Sequence, residues 1–199
     1  MVAINLSHEK IWVRILFTYI IFFILLFSSI GIGFFLLPEG SLKEIPFLSL
    51  LAFEEETTLV NLIIQTLFYN SFLMLLIVLT NHYQVKSFNL GYLALFVNVV
   101  ILGLFAGTNS FSGEVSTFSL EGWILFFQVG FLEFSAYILI CCATVDLTMF
   151  RANKWRGEQF KKIRKFKEAH ISKKGGLIIL IAIILLIIAA INEWSFISS

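Results

Sequence analysis

The sequence predicts an all-α membrane protein, a polytopic bundle of about five transmembrane helices in a single domain over residues 1–199. Hydrophobic residues make up 59% of the chain. Charged residues make up only 14%, against about 25% in a soluble domain. A soluble fold of this length could not cover so much apolar surface, whereas lipid can. The Lys and Arg residues are unevenly distributed, which gives the predicted helices a direction.

Five stretches reach the roughly 20 mostly apolar residues that a membrane crossing requires. They are residues 11–37, 58–80, 88–107, 123–150 and 176–196. The first stretch is too long for the apolar core of a signal peptide, and Pro38 follows its end. We therefore expect a retained helix that stops before this proline.

The connection at residues 41–57 is too short to cross a membrane and too apolar for a free loop. Its apolar residues precede a run of three acids, Glu54, Glu55 and Glu56. This pattern favours an outer interfacial or re-entrant helix.

The connection at residues 151–174 carries ten of the fourteen Lys and Arg residues. Phe160, Ile163 and Phe166 recur among them at three-residue spacing, which favours a basic amphipathic helix on the inner membrane surface. Such a helix would bind anionic lipid or a cytoplasmic partner, whereas a basic loop would only fix the topology. Its predicted basic surface comprises Lys161, Lys162, Arg164, Lys165 and Lys167.

Orientation follows from the basic residues, which accumulate on the cytoplasmic side of membrane proteins. With a cytoplasmic N-terminus, thirteen of the fourteen lie inside and only Lys43 lies outside. We therefore expect a multi-pass protein of the cell membrane with its N-terminus in the cytoplasm and its C-terminus outside. The predicted outer connections contain Glu39, Glu44, Glu54, Glu55, Glu56, Glu114 and Glu121.

Polar side chains are costly in hydrocarbon and usually find partners inside the bundle. Asn70, Asn98 and Glu133 lie near the middle of spans two, three and four, so we expect one hydrogen-bonded cluster. Gln65 and Gln128 lie about one turn away and are assigned to it. Hydrocarbon disfavours a charged carboxyl, so a neutral Glu133 fits this site. The alternative role is purely adhesive, with each hydrogen bond contributing about 1 kcal/mol.

Small residues near these positions predict close helix packing. Gly103 and Gly107 lie on span three, and Gly130 and Ser135 flank Glu133 on span four. Two further acids lie near span ends: Asp146 is expected to reach the membrane interface or to pair with Lys or Arg, and Glu193 is expected at the interface.

Catalytic patterns are weak in this sequence. The three histidines, His8, His82 and His170, lie outside the spans, whereas a zinc site needs ligands close together. No glycine-rich phosphate loop is present either. We therefore predict a protein that is not an enzyme and that uses no metal or cofactor. The lipid-proximal basic stretch favours lipid over nucleic acid as its partner.

Four short stretches resemble the stage II sporulation protein M family. Phe68-Tyr69-Asn70 is similar to the family's Asn-bearing second span, and residues 95–103 resemble its third span. Residues 130–136, around Glu133, resemble its fourth span, and residues 186–193 resemble its terminal motif. The family's Pro-His before the glycine is Gln128-Val129 here. The resemblance implies an all-helical polytopic protein and, in spore formers, a membrane anchor for cell-wall hydrolases during engulfment.

Two functions remain open at this point. The first is a membrane scaffold or assembly subunit that acts as a homo-oligomer or with another membrane protein. The second is a subunit of a transport or permeation system, in which the polar residues around Glu133 line a small cavity. An intramembrane enzyme would need a nucleophile or metal site that the sequence does not offer.

Overall fold

Five membrane-length crossings dominate the computed structural model, which describes residues 6–43, 58–111, 115–155 and 159–197. All five are long and apolar enough to cross a membrane, and their ends lie within three residues of those expected from the sequence. Four are single helices: α1 (Ile11–Leu36), α2 (Leu59–Thr80), α3 (Leu90–Gly107) and α6 (Lys173–Ile197). The fourth crossing in chain order combines α4 (Leu120–Leu125), a π-helical turn (Phe126–Gly130), α5 (Phe131–Thr144) and a 3-10 turn (Val145–Leu147).

Local sequence signals set several helix ends. Thr58 and Ser119 are N-cap residues of α2 and α4, and their hydroxyls accept hydrogen bonds from the N–H groups of Asn61 and Gly122. Helix α1 ends where Leu37 adopts an extended conformation before Pro38, as the residue preceding a proline prefers.

The bundle contains two extensive helix pairs, α1 with α3 and α5 with α6, while α2 packs against α3, α5 and α6. Small residues bring α1 and α3 close together. A Cβ added to Gly103 would lie 2.7 Å from the Cβ of Ser29, and one added to Gly107 would lie 2.3 Å from the Ile30 carbonyl oxygen. The two helices therefore approach with backbone nearly against backbone.

A four-stranded sheet at one end of the bundle adds to the predicted all-α fold. Its order is β2-β1-β3-β4; β1 pairs antiparallel with β2 and parallel with β3, and β3 pairs antiparallel with β4. Lys86, with a φ of 55°, lies in the two-residue turn between β1 and β2. The strands are β1 (Tyr83–Val85), β2 (Phe88–Asn89), β3 (Phe150–Ala152) and β4 (Lys161–Lys162).

This sheet joins the connection after α2 to the connection after the fourth crossing. The Phe150 N–H donates to the His82 carbonyl at 2.9 Å, and the Lys86 N–H donates to the Ala152 carbonyl at 2.7 Å. We call this end of the bundle, where α1 begins and α2 ends, the basic end.

The sheet replaces the basic amphipathic helix predicted over residues 151–174. The described residues 151–155 and 159–172 contain parts of β3 and β4 and a single 3-10 turn (Phe166–Glu168), and α6 begins at Lys173. A short isolated helix is marginal in water, whereas the backbone here pairs with a strand already fixed at the end of α2. Three apolar residues at regular spacing do not outweigh that pairing.

The predicted outer interfacial or re-entrant helix at 41–57 falls largely on residues 44–57, which lie outside the described residues. Residues 41–43 form a turn.

Candidate functional site

The carboxyl at membrane depth is hydrogen-bonded between two spans. Asn70 of α2 donates through Nδ2 to Glu133 Oε1 of α5 at 3.0 Å. The same amide nitrogen donates to the Thr66 carbonyl at 2.7 Å, and the Tyr137 hydroxyl donates to Asn70 Oδ1. Asn70 and Tyr137 are buried and Glu133 is half-buried. We call Asn70, Glu133 and Tyr137 the Glu133 cluster.

Helix geometry explains why these side chains meet. Glu133 and Tyr137 are four residues apart and therefore share one face of α5. Thr66 and Asn70 share a face of α2 in the same way. Because α2 packs on α5, the two faces close on each other.

A π-helical turn precedes this site and makes a second contact between spans. π-Helical turns inside α-helices occur frequently at functional sites. The Asn192 side chain of α6 donates through Nδ2 to the Gln128 carbonyl within the turn at 2.8 Å. The next residue, Glu193, is half-buried and lies close enough to Glu133 for the two carboxyls to interact electrostatically.

The other residues assigned to the cluster lie elsewhere. The Gln128 side chain is exposed at the bundle surface, and within the described part of the chain it is the Gln128 backbone carbonyl that accepts a hydrogen bond from another span. The half-buried Asn98 side chain has no hydrogen bond to any described residue. The Gln65 side-chain oxygen is buried and finds no partner among the described residues. The structure therefore joins Asn70 to Glu133 and leaves Asn98, Gln128 and Gln65 outside their hydrogen bonds.

The residues predicted to allow close helix packing do not all lie where two helices meet. Gly103 lies at the close approach of α1 and α3. A Cβ on Gly130 would meet only the Phe126 side chain of its own crossing within 4 Å among the described residues, so Gly130 itself does not mark a close approach between helices. Ser135 is buried, and its hydroxyl donates to the Phe131 carbonyl at 2.7 Å.

A second polar site, which the sequence analysis missed, lies at the basic end. The last carbonyls of a helix have no partner within the helix. Here side chains from two other elements supply partners for them. Asn81 Nδ2, just after α2, donates to the Cys141 carbonyl at 2.9 Å and to Thr144 Oγ1 at 2.8 Å. Asn89 Nδ2, in β2, donates to Thr148 Oγ1 at 2.6 Å.

Arg14 of α1 completes this site. It is 3% exposed. Its Nη1 donates to the Cys142 carbonyl at 3.1 Å, and its Nη2 forms a salt bridge of 2.8 Å with Asp146. Its Nε donates to the His8 carbonyl at 2.5 Å. A cation at the C-terminal end of a helix also interacts favourably with the helix dipole.

The predicted basic surface is solvent-accessible in the structure. Arg164 also donates through Nη1 to the Asp146 carbonyl at 3.0 Å, which ties the segment to the end of the fourth crossing. The five predicted residues, Lys161, Lys162, Arg164, Lys165 and Lys167, are all exposed.

The side chains of these two polar sites can do only a few things chemically. An amide bonded to a carboxyl can hold two helices together, and the carboxyl can also take up a proton. Among the described residues, no group of three or more His, Cys, Asp or Glu side chains is placed to hold a metal ion.

Comparison of the chain with family models, curated proteins and solved structures found no match. The resemblance to the stage II sporulation protein M family stays a prediction from the residues quoted above.

Proposed function

We propose that the chain is a non-enzymatic integral membrane scaffold or assembly subunit, as its resemblance to stage II sporulation protein M implies. The main support for this proposal is the set of hydrogen bonds that the Asn70 amide makes. Its nitrogen and oxygen bond the Thr66 carbonyl, the Glu133 carboxyl and the Tyr137 hydroxyl, which fixes α2 against α5. A solute pathway needs polar atoms that face a cavity, whereas these atoms face one another.

The contacts at the basic end support the same proposal. Arg14, Asn81 and Asn89 come from three different elements, and all bond the end of the fourth crossing. Such bonds hold the crossings in one arrangement and present the sheet as a rigid surface. A scaffold requires this kind of rigidity when it positions a second copy or another membrane protein.

The proposal includes an orientation. The Lys and Arg distribution favours a cytoplasmic basic end, hence an N-terminus in the cytoplasm and a C-terminus outside. A Lys167→Cys protein in sealed, right-side-out vesicles should react with a membrane-impermeant thiol reagent only after permeabilisation. Reaction in sealed vesicles would contradict the orientation.

The scaffold function predicts a defined complex. After cross-linking in intact membranes and purification in mild detergent, we expect a particle with a second polypeptide, or a second copy, in fixed stoichiometry. The Glu133→Gln protein should keep this partner, because glutamine retains the oxygen that accepts from Asn70. Mass spectrometry of both particles measures the composition.

Two outcomes would contradict the scaffold. One is a monomer without any stoichiometric partner. The other is a homo-oligomer whose bound small molecule disappears in the Glu133→Gln protein. The second outcome would favour the alternative function, a subunit of a transport or permeation system. Glu133 and Glu193 are both half-buried and not fully enclosed, which keeps this alternative open.

A further inference from the structure

Two like charges face each other across the sheet at the basic end. The register of β3 and β4 places Arg151 directly opposite Lys161 and Phe150 directly opposite Lys162. Side chains directly opposite on antiparallel strands have Cβ atoms about 4.5–5.5 Å apart, and like charges there destabilise the pairing. Arg151, Lys161 and Lys162 are all exposed.

No described carboxylate offsets this repulsion. The one salt bridge among the described residues joins Arg14 to Asp146. Arg151 donates through Nε to the neutral Gln84 side chain at 2.7 Å, which orients the guanidinium without neutralising it. Successive residues of a strand point to opposite faces of the sheet, so Arg151 and Lys161 share one face and Lys162 lies on the other. Two cations held close together by backbone pairing form a site that suits an anion.

The backbone holds β3 and β4 at the membrane surface. The Phe150 N–H is bonded to the His82 carbonyl, and the Ile163 N–H donates to the Met149 carbonyl at 2.9 Å. The segment leaves the fourth crossing at Leu147 and re-enters the membrane-length α6 at Lys173. The cations therefore lie between two span ends, at the depth where lipid headgroups lie.

Exposed apolar side chains surround the cations. Trp155 is 59% exposed, Ile163 47% and Phe166 74%, while Phe160 is 40% exposed beside the Tyr83 ring. In water this exposure is unfavourable, but aromatic and aliphatic side chains next to Lys and Arg are typical of the lipid interface. A free phosphate ion would leave these side chains without a role.

We propose that Arg151 and Lys161 bind the phosphate of an anionic phospholipid in the leaflet at the basic end, with Ile163 contacting its apolar part. This inference does not depend on the scaffold function. In this proposal the basic segment binds a lipid and also helps to set the membrane topology.

The test uses the full chain, delipidated in zwitterionic detergent, with phosphatidylglycerol or phosphatidylcholine added. Phosphatidylglycerol should raise the Tm by about 5 °C more than phosphatidylcholine does. The double variant Arg151→Gln/Lys161→Gln should lose most of this shift. The control Lys173→Gln/Lys174→Gln removes the same charge at the same end of the bundle and should keep most of it.

A second measurement separates lipid binding from a structural role. Without anionic lipid, Lys161→Gln should be at least as stable as wild type, because it removes the repulsion with Arg151. Equal losses in the two double variants would overturn the proposal, as would a shift of the same size with inorganic phosphate. A lower Tm of Lys161→Gln without lipid would also overturn it.

Discussion

Replacing Arg14 with Met should lower the free energy of unfolding by about 3 kcal/mol, because it leaves the buried Cys142 carbonyl and the partly buried His8 carbonyl without their donor. Methionine replaces the apolar stem of the arginine side chain but lacks its guanidinium group. It cannot donate to the carbonyls of His8 and Cys142 or to the Asp146 carboxylate. The end of the fourth crossing then loses a hydrogen-bond donor and a favourable charge.

Unfolding of the Arg14→Met protein in detergent, by heat or by denaturing detergent, measures this loss. Lys10→Met is the matched control, since Lys10 is exposed and lies one helical turn before Arg14. Asp146→Asn should cost only about 1 kcal/mol, because the Asp146 side chain is 45% exposed and Arg14 keeps its carbonyl contacts. A loss in Arg14→Met no larger than in Lys10→Met would show that the buried network does not stabilise the basic end.

Replacing Gly107 with Ala should lower the free energy of unfolding by about 2 kcal/mol, the usual range for overpacking a tight contact. The added Cβ would lie 2.3 Å from the Ile30 carbonyl oxygen and 2.9 Å from the Gly33 Cα, both backbone atoms. Backbone cannot rotate out of the way as a side chain can. Helices α1 and α3 would therefore have to separate along their contact.

Gly31→Ala supplies the control for this prediction. A Cβ at Gly31 meets nothing within 4 Å, so the substitution should be neutral or slightly stabilising through its helix propensity. The same unfolding measurement compares the two proteins. Equal stability of Gly107→Ala and Gly31→Ala would contradict the close approach of α1 and α3.

The sequence predicts the spans well because length and apolar character determine them. The composite fourth crossing was predicted at 123–150 and occupies Leu120–Leu147. Short strands are harder to find. Phe88 and Asn89 were assigned to a span, but they form β2, because a partner strand from a distant part of the chain pairs with this hairpin. Two or three residues carry too little periodicity to reveal such a strand.

The candidate site was predicted only in part. Matching depth in neighbouring spans was enough to suggest Asn70 and Glu133 as partners. It could not show which way each side chain faces, because these helices are apolar on every side. The structure therefore shows what the sequence could not, namely that the Gln128 side chain is exposed.

The polar site at the basic end was missed for a different reason. Arg14, Asn81 and Asn89 lie at span ends, where polar residues are expected to meet water or headgroups. Nothing in the local sequence distinguishes a polar residue that faces headgroups from one that bonds a neighbouring helix end. Their complete or nearly complete burial appears only when α1 and the connection between α2 and α3 pack against the end of the fourth crossing.

The central claim is that Glu133 holds two spans together through Asn70. A double-mutant cycle with Asn70→Leu, Glu133→Met and the double variant tests it most directly, with the free energy of unfolding in detergent as the readout. We expect a coupling energy of about 1 kcal/mol, the usual size of a hydrogen bond between membrane helices. We also expect near wild-type stability for Glu133→Gln, which keeps the acceptor oxygen. Losses that simply add, with no coupling between the two positions, would contradict the claim.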